Sequence, residues 1–311
     1  MHICFTAIGS GFANNGGTKT IYSCANNLHA LGHEVSLSST NYDFTWFKTK
    51  AQKLTQLPTN ADIIIATAVH TIKPLLKHKT KAKKIWYMRG WETWAEKEQK
   101  IIELTKEIDI IVNSQWLQEK VAQHTKKPTI IYPGLDTHLY YKENIIKPVT
   151  TIGGLYHKKD LKRFSLWLNT VKEIQKHNIK IKLFGNDQRP KLDINFDYIQ
   201  QPNEQQHRQF YNECDIWLFT SNNEGLHIPP MEAGLCGCAI TGIEIGGVKD
   251  YAIHNQTAIL GKNLIENIIK LINNQELRNV LSTNLIELLK TKIGTRTENM
   301  KKLIKLFNHQ F

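Results

Sequence analysis

Residues 215–242 read Asp215-Ile-Trp-Leu-Phe-Thr-Ser-Asn-Asn-Glu224-Gly-Leu-His-Ile-Pro-Pro-Met-Glu232-Ala-Gly-Leu-Cys-Gly-Cys-Ala-Ile-Thr-Gly242. The apolar run Asp215–Phe219 predicts a buried strand. A polar, glycine-containing loop follows it. Pro229 and Pro230 suit the first turn of a helix, where a missing N–H is no loss. Pro230–Leu235 therefore predicts a short helix, and Ala239–Ile243 a second strand. Strand, loop, helix, strand is the repeating unit of a parallel sheet.

The same alternation extends in both directions. His2–Ile8 is an apolar strand ending in Gly9-Ser-Gly11, followed by a loop through Asn14, Asn15, Gly16 and Gly17. Thr18–Leu31 predicts a helix closed by Gly32. Strands are expected at Glu34–Ser39, Ile63–Ala66, Lys84–Met88 and Ile108–Asn113, with helices at Glu96–Lys106 and Gln115–His124. Pro133, Gly134 and Pro148 interrupt the pattern and place a domain boundary near residue 148. A second series starts with strand Thr150–Ile152, helix Leu161–Lys176 and strand Ile179–Phe184. It continues through helix Glu204–Glu213 and a helix start at Val248–Ile253, and ends in amphipathic helical segments from Leu264 to Phe311. The expectation is an α/β protein of two Rossmann-like, doubly wound lobes facing a central cleft. The domains would be 1–148 and 149–311, with the last helix packing back on the first lobe. A chain of 311 residues is long enough for two such cores. Ligands of doubly wound sheets sit at the carboxyl ends of the strands, so those loops hold the candidate site.

Composition narrows the partners. Hydrophobic residues make up 41% and charged residues 22%, which excludes wholesale disorder. No apolar run approaches the roughly 20 residues of a membrane-spanning helix. The N-terminus reads as a strand, not a signal peptide. The formal net charge of +12 favours anionic partners. Lys73, Lys77, Lys79, Lys81, Lys83 and Lys84 form a run without an acid, readable as solvated surface or as a patch for anionic lipid headgroups. That run holds no aromatic residue, which argues against nucleic acid. The five cysteines are odd in number and lack zinc or redox spacing, so a reducing cytoplasm is expected.

Two constellations carry chemistry. Glu224 and Glu232 lie eight residues apart across the loop and the helix start. Carboxylates are acceptor-only groups suited to gripping the vicinal hydroxyls of a sugar or ribose, and Gly225 permits close backbone approach. Gly246 and Gly247 lie between a strand and a helix, a place where free N–H groups receive phosphate. His70 follows a buried strand at the edge of the expected cleft. Trp91 is readable as packing or as a wall against a sugar or lipid linker. No His, Cys or acid cluster has metal-ligand spacing.

Glu224-Gly-Leu-His-Ile-Pro-Pro-Met-Glu232, followed by Gly246-Gly-Val-Lys-Asp250, resembles the donor-site signature of GT-B glycosyltransferases. It is most similar to retaining family 4, the glycosyl transferases group 1, whose hallmark is E-x7-E. Ile131-Tyr-Pro-Gly-Leu-Asp136 and Ile152-Gly-Gly-Leu-Tyr-His-Lys-Lys159 resemble further segments of that family. The resemblance implies a GT-B fold and a hexosyltransferase-like enzyme. A nucleotide-diphosphate sugar would serve as donor substrate, with no tightly bound cofactor and no metal. The acceptor would be a glycan, a lipid-linked sugar or another hydroxyl compound, in surface polysaccharide or glycoconjugate synthesis. Glu232 would bind the ribose. Glu224 would face the donor sugar, helped by the backbone of Gly225, Leu226 and His227. Gly246 and Gly247 would hold the distal phosphate, and Gly16 and Gly17 would lie near phosphate and acceptor. Lys159 would neutralise the departing diphosphate. Retention would proceed by same-face attack, with the departing phosphate oxygen taking the acceptor proton. The N-lobe would bind the acceptor, with Arg89, Trp91 and His70 on that side.

The chain also departs from the family. The arginine of the family's R-x4-K pair is Gly154 here, and a usual glycine is His227. Arg163, four residues after Lys159, is expected to replace the arginine if the helix begins early. Other readings are a nucleotide-sugar epimerase of the same fold and a basic nucleic-acid binder. The implied location is cytoplasmic, with peripheral contact to the inner membrane face.

Overall fold

The computed structural model describes residues 1–158 and 162–310. The chain divides into two compact units, 1–134 with 294–311, and 135–293.

The first unit runs β1 (His2–Thr6), α1 (Gly16–Ala30), β2 (Glu34–Ser38), β3 (Gln52–Leu54), β4 (Ile63–Ala66), α2 (Val69–Lys77) and β5 (Lys83–Met88). It continues with α3 (Glu98–Leu104), β6 (Asp109–Val112), α4 (Gln115–Ala122) and β7 (Thr129–Ile130). All seven strands are parallel, in the order β3-β2-β1-β4-β5-β6-β7. Both faces are buried, which is why the central strands are continuous branched apolar runs. Ile3, Phe5, Ile63, Ile65, Ile85 and Tyr87 pack on one face. Cys4, Ile64, Ala66, Trp86 and Met88 pack on the other.

The second unit comprises β8 (Thr150–Leu155), α5 (Phe164–Ile174), β9 (Ile179–Gly185), β10 (Asp197–Gln200), α6 (Glu204–Asn212) and β11 (Ile216–Phe219). Then come α7 (Ile228–Leu235), β12 (Ala239–Gly242), a 3-10 turn at Gly246–Asp250, β13 (Ala258–Leu260), α8 (Leu264–Ile272) and α9 (Gln275–Leu288). Its six parallel strands follow β10-β9-β8-β11-β12-β13. The winding repeats that of the first unit: β8 and β11 correspond to β1 and β4, the strands where the order reverses. The final helix, α10 (Arg296–Gln310), belongs to the first unit. Its Met300, Leu303 and Phe307 complete the core around Ile3 and Phe5.

The units divide at Gly134/Leu135, earlier than residue 148. Residues after Gly134 pack on the second unit, which explains the difference. Tyr140 makes an edge contact with Tyr211, their centroids 5.9 Å apart. The Glu143 N–H donates to Asn212 Oδ1 at 2.6 Å, and Lys147 Nζ donates to the Cys214 carbonyl at 2.7 Å. The helix expected at Leu161–Lys176 begins only at Phe164, because Arg163 has left-handed backbone with φ 47°. The expected helix at Val248–Ile253 is instead the 3-10 turn. Short strands β3, β7, β10 and β13 complete the sheets at their edges.

Candidate active site

In the second unit, the loops after β8 and β11 lie at the point where the strand order reverses, the general ligand position of such sheets. The hydroxyl of Thr220, just past β11, lies 3.0 and 3.1 Å from the carbonyls of Lys162 and Arg163 and ties the two loops together. Lys162 Nζ pairs with Glu224 Oε1. Burial opposes the charge on Glu224, but attraction to His227 in its protonated form and to Lys162 outweighs it and holds the carboxyl below its ordinary range. The Gly247 N–H donates to the Glu224 carbonyl at 3.3 Å, which brings in the loop after β12.

His227 is the N-cap of α7, with φ 63° and ψ 78°. This is the left-handed region in which glycine is the unstrained choice. The imidazole is buried beside Glu224, and Nδ1 lies 3.2 Å from Oε1. Burial pushes its pKa down to about 4, so the ring is neutral near neutral pH. Its carbonyl accepts from the buried Tyr251 hydroxyl at 2.9 Å, which fixes the cap. One turn into α7, Glu232 is only 4% exposed and accepts from the Tyr211 hydroxyl at 3.2 Å. The Tyr211 phenol is held well above its ordinary pKa, first by burial and then by the Glu232 charge.

Several expected site residues have a different neighbourhood from the one the sequence suggested. Lys159 lies outside the described residues. Arg163 is exposed and is the left-handed N-cap of α5, so it does not lie within the helix as the sequence suggested. Lys158 pairs with Asp187 at 3.2 Å. Gly247 spends its N–H on Glu224, while Gly246 opens the 3-10 turn with φ 40°. Gly154 has a physical reason for not being arginine. A Cβ there would lie 2.4 Å from the indole of Trp167, whose N–H donates to the Leu218 carbonyl at 3.2 Å. Gly225 and Leu226 are buried in the loop between Glu224 and His227. Lys162, Thr220, Tyr211 and Tyr251 were not singled out from the sequence. Only the basic cluster around residues 158–163 hinted at the first.

In the first unit, Gly16 and Gly17 open α1, and the Asn15 side chain caps it by accepting from the Thr18 N–H at 2.9 Å. Arg89 is tied to backbone: Nη1 donates to the Gly17 carbonyl at 2.5 Å and Nη2 to the Thr67 carbonyl at 2.7 Å. Glu92 accepts from the Val69 N–H at 2.7 Å at the start of α2. His70 is exposed in the first turn of that helix. Trp91 is only 3% exposed, stacked on His124 and covered by Lys120, with its N–H on Glu98 at 2.7 Å. It packs, and the exposed aromatic nearby is Trp94. In the basic run, Lys83 pairs with Asp109, and Lys84 donates to the carbonyls of Leu76 and His78. Lys73, Lys77, Lys79 and Lys81 are exposed. Among the described residues no three His, Cys, Asp or Glu side chains converge as metal ligands, and no helix is long and apolar enough to cross a membrane.

The fold is that of GT-B glycosyltransferases. Sucrose-phosphate synthase from Thermosynechococcus elongatus superposes with a TM-score of 0.83 at 13% identity, over 100% of this chain and 99% of that one. HepE from Anabaena, solved with UDP and glucose, gives 0.78 at 13% identity over 99% of both chains. WaaG, a glycosyltransferase involved in lipopolysaccharide biosynthesis, gives 0.73 at 14% identity, over 99% of this chain and 100% of that one. Residues 146–287, within the second unit, match the family described as glycosyl transferases group 1. An uncharacterized glycosyltransferase, MJ1178, from Methanocaldococcus jannaschii is 22% identical over 190 residues. That alignment covers 56% of this chain and about half (52%) of the relative's length.

Proposed function

We propose that the protein is a retaining glycosyltransferase that moves a sugar from a nucleotide-diphosphate donor to a hydroxyl acceptor, either a glycan or a lipid-linked sugar. The observation that carries this reading is the placement of two carboxylates, Glu224 and the buried Glu232, inside the matched family domain at the reversal point of its sheet. Glu232 would accept hydrogen bonds from the ribose, and Glu224 from the donor sugar. UDP and glucose bound to HepE support a nucleotide-sugar donor of this kind. Sugar transfer leaves negative charge on the departing diphosphate, and fixed cations lower that barrier. Lys159 and Arg163 are proposed for this task, with Lys162 setting the charge on Glu224. Gly246 would add a phosphate contact. The first unit would carry the acceptor side through Gly16, Gly17 and His70, with Arg89 holding their loops. The departing phosphate oxygen would take the acceptor proton, so the reaction needs no enzyme nucleophile.

A calorimetric screen of nucleoside diphosphates against the parent and Glu232→Ala tests the reading. Losing hydrogen bonds to a charged acceptor costs roughly 1.5–3 kcal/mol. The variant should therefore bind the preferred nucleotide about 10- to 150-fold more weakly. Equal affinities would remove Glu232 from the site. Peripheral contact of Lys73, Lys77, Lys79 and Lys81 with anionic lipid belongs to the same proposal. Salt-sensitive sedimentation with phosphatidylglycerol vesicles, lost when the four become glutamine, is the expected outcome.

A further inference from the structure

His227 carries two unfavourable features at once. Its backbone is in the left-handed region, φ 63°, which a side chain other than glycine enters at a cost. The residue is only 7% exposed, yet neither Nδ1 nor Nε2 of its ring has a hydrogen-bond partner among the described residues. The 3.2 Å approach of Nδ1 to Glu224 Oε1 lacks hydrogen-bond alignment. Glycine would remove both penalties. A buried polar group left unpaired costs stability, so a residue that accepts this and backbone strain together points to a ligand.

The chemistry around the ring selects the ligand. Glu224 is an acceptor-only carboxylate, which disfavours phosphate beside it. A neutral imidazole has one N–H donor and one lone pair. A hydroxyl group complements this pair, since it can donate to the carboxylate and accept from the imidazole. The ring makes an edge contact with Phe219, their centroids 5.5 Å apart, and Tyr251 holds the backbone through the His227 carbonyl.

We infer that His227 is a specificity-determining residue for the donor, its imidazole acting with Glu224 to hydrogen-bond a hydroxyl of the transferred sugar. This rests on the donor-site reading above and adds to it the group that distinguishes one sugar from another.

The test uses the full chain with UDP, GDP, UDP-glucose, UDP-galactose, UDP-N-acetylglucosamine and GDP-mannose as probes in calorimetry. The variants are His227→Gly, which relieves the strain, and His227→Asn, which tolerates the backbone and keeps a donor and an acceptor. The parent should bind one nucleotide sugar at least 10-fold more tightly than the others with the same base. In His227→Gly that preference should fall to within about 2-fold, while affinity for the free nucleoside diphosphate stays within 2-fold of the parent. His227→Asn should retain part of the preference. Parent-like sugar preference in both variants overturns the inference, while loss of nucleotide binding in Glu232→Ala would leave the donor-site reading standing. Equal loss of nucleotide and nucleotide-sugar binding in folded His227 variants also overturns it, because the ring would then only shape the start of α7. A parent that binds none of the six probes overturns both readings.

Discussion

The two sheets share one winding, but they begin their central helices differently. In the first unit, the helices after β1 and β4 are stoppered from within. Asn15 caps α1, and Glu92 takes the Val69 N–H at the start of α2. Arg89 bonds the carbonyls of both loops. In the second unit, the corresponding helices are α5 and α7. Their N-caps, Arg163 and His227, are left-handed residues with no side-chain cap. The charged groups there, Lys162 and Glu224, pair with each other beside an unpartnered imidazole. A helix N-terminus has orphan N–H groups that must be satisfied by a side chain, water or ligand. Identical topology therefore allows two arrangements: side chains tie one set of loops together, and the other leaves its helix starts without side-chain caps.

The largest effect should come from removing the lock in the first unit. Arg89→Ala leaves two loop carbonyls unbonded and Glu92 without its buried neighbour. Breaking such an arrangement costs about 3–5 kcal/mol, read as a lower urea midpoint, while nucleoside diphosphate affinity should stay within about 2-fold. A parent-like midpoint would mean that the clamp is ornamental.

Acid should strike the second unit first. His227 has an ordinary pKa of 6.5 and a folded value of about 4. The unfolded chain binds this proton at a pH where the folded chain refuses it. Stability from this residue is thus fully present above pH 6.5 and is lost as pH falls toward 4. The loss amounts to about 3 kcal/mol. Glu224, held below its ordinary range, adds a further loss at lower pH, below its unfolded value of 4.5. Urea titrations from pH 7.5 to 4 should show the first phase in the parent and not in His227→Gly. Its persistence in the variant would assign it elsewhere.

Lys162→Met removes the cation that pairs with Glu224. Glu224 loses its cation, and its carboxyl should rise toward the ordinary range. Charge-assisted hydrogen bonds are worth about 1.5–3 kcal/mol, so donor kcat/KM should fall about 10- to 150-fold. Lys158→Met, which loses only an exposed pair with Asp187, should behave as the parent. Equal effects of the two would mean a diffuse field, not a specific pair. The smallest change is expected for Asn15→Ala. Loss of an N-cap costs about 1 kcal/mol, and thermal unfolding should register it. A loss of nucleotide affinity in that variant would put the first unit's helix start in the donor site and break the comparison.

Much of this was legible in the sequence. Ile63–Ala66 and Asp215–Phe219 announce buried parallel strands by their apolar runs, because a sheet covered on both faces has no polar side. The E-x7-E pair was readable because its carboxylates lie on one loop and on the short helix that follows it. Edge strands such as Thr129–Ile130 were too short to carry a pattern. The basic cluster around residue 160 showed where cations gather, but not which of them meets Glu224. Arg89 and Trp91 read as acceptor-side groups because nothing local reveals that their partners are Gly17, Thr67 and Glu98.

The sequence by itself determined the α/β class, the two successive series of strands and helices, and the carboxylate pair, since these depend on local periodicity and spacing. Only the tertiary structure decided how residues distant in the chain use one another. It carried residues 135–149 to the second unit. It packed Trp167 against residue 154, leaving room only for a glycine there. It also gave His227 a left-handed backbone and buried its ring beside Glu224, without a hydrogen-bond partner among the described residues. Packing and hydrogen-bond partners are set by which strands adjoin, and no single segment contains that information.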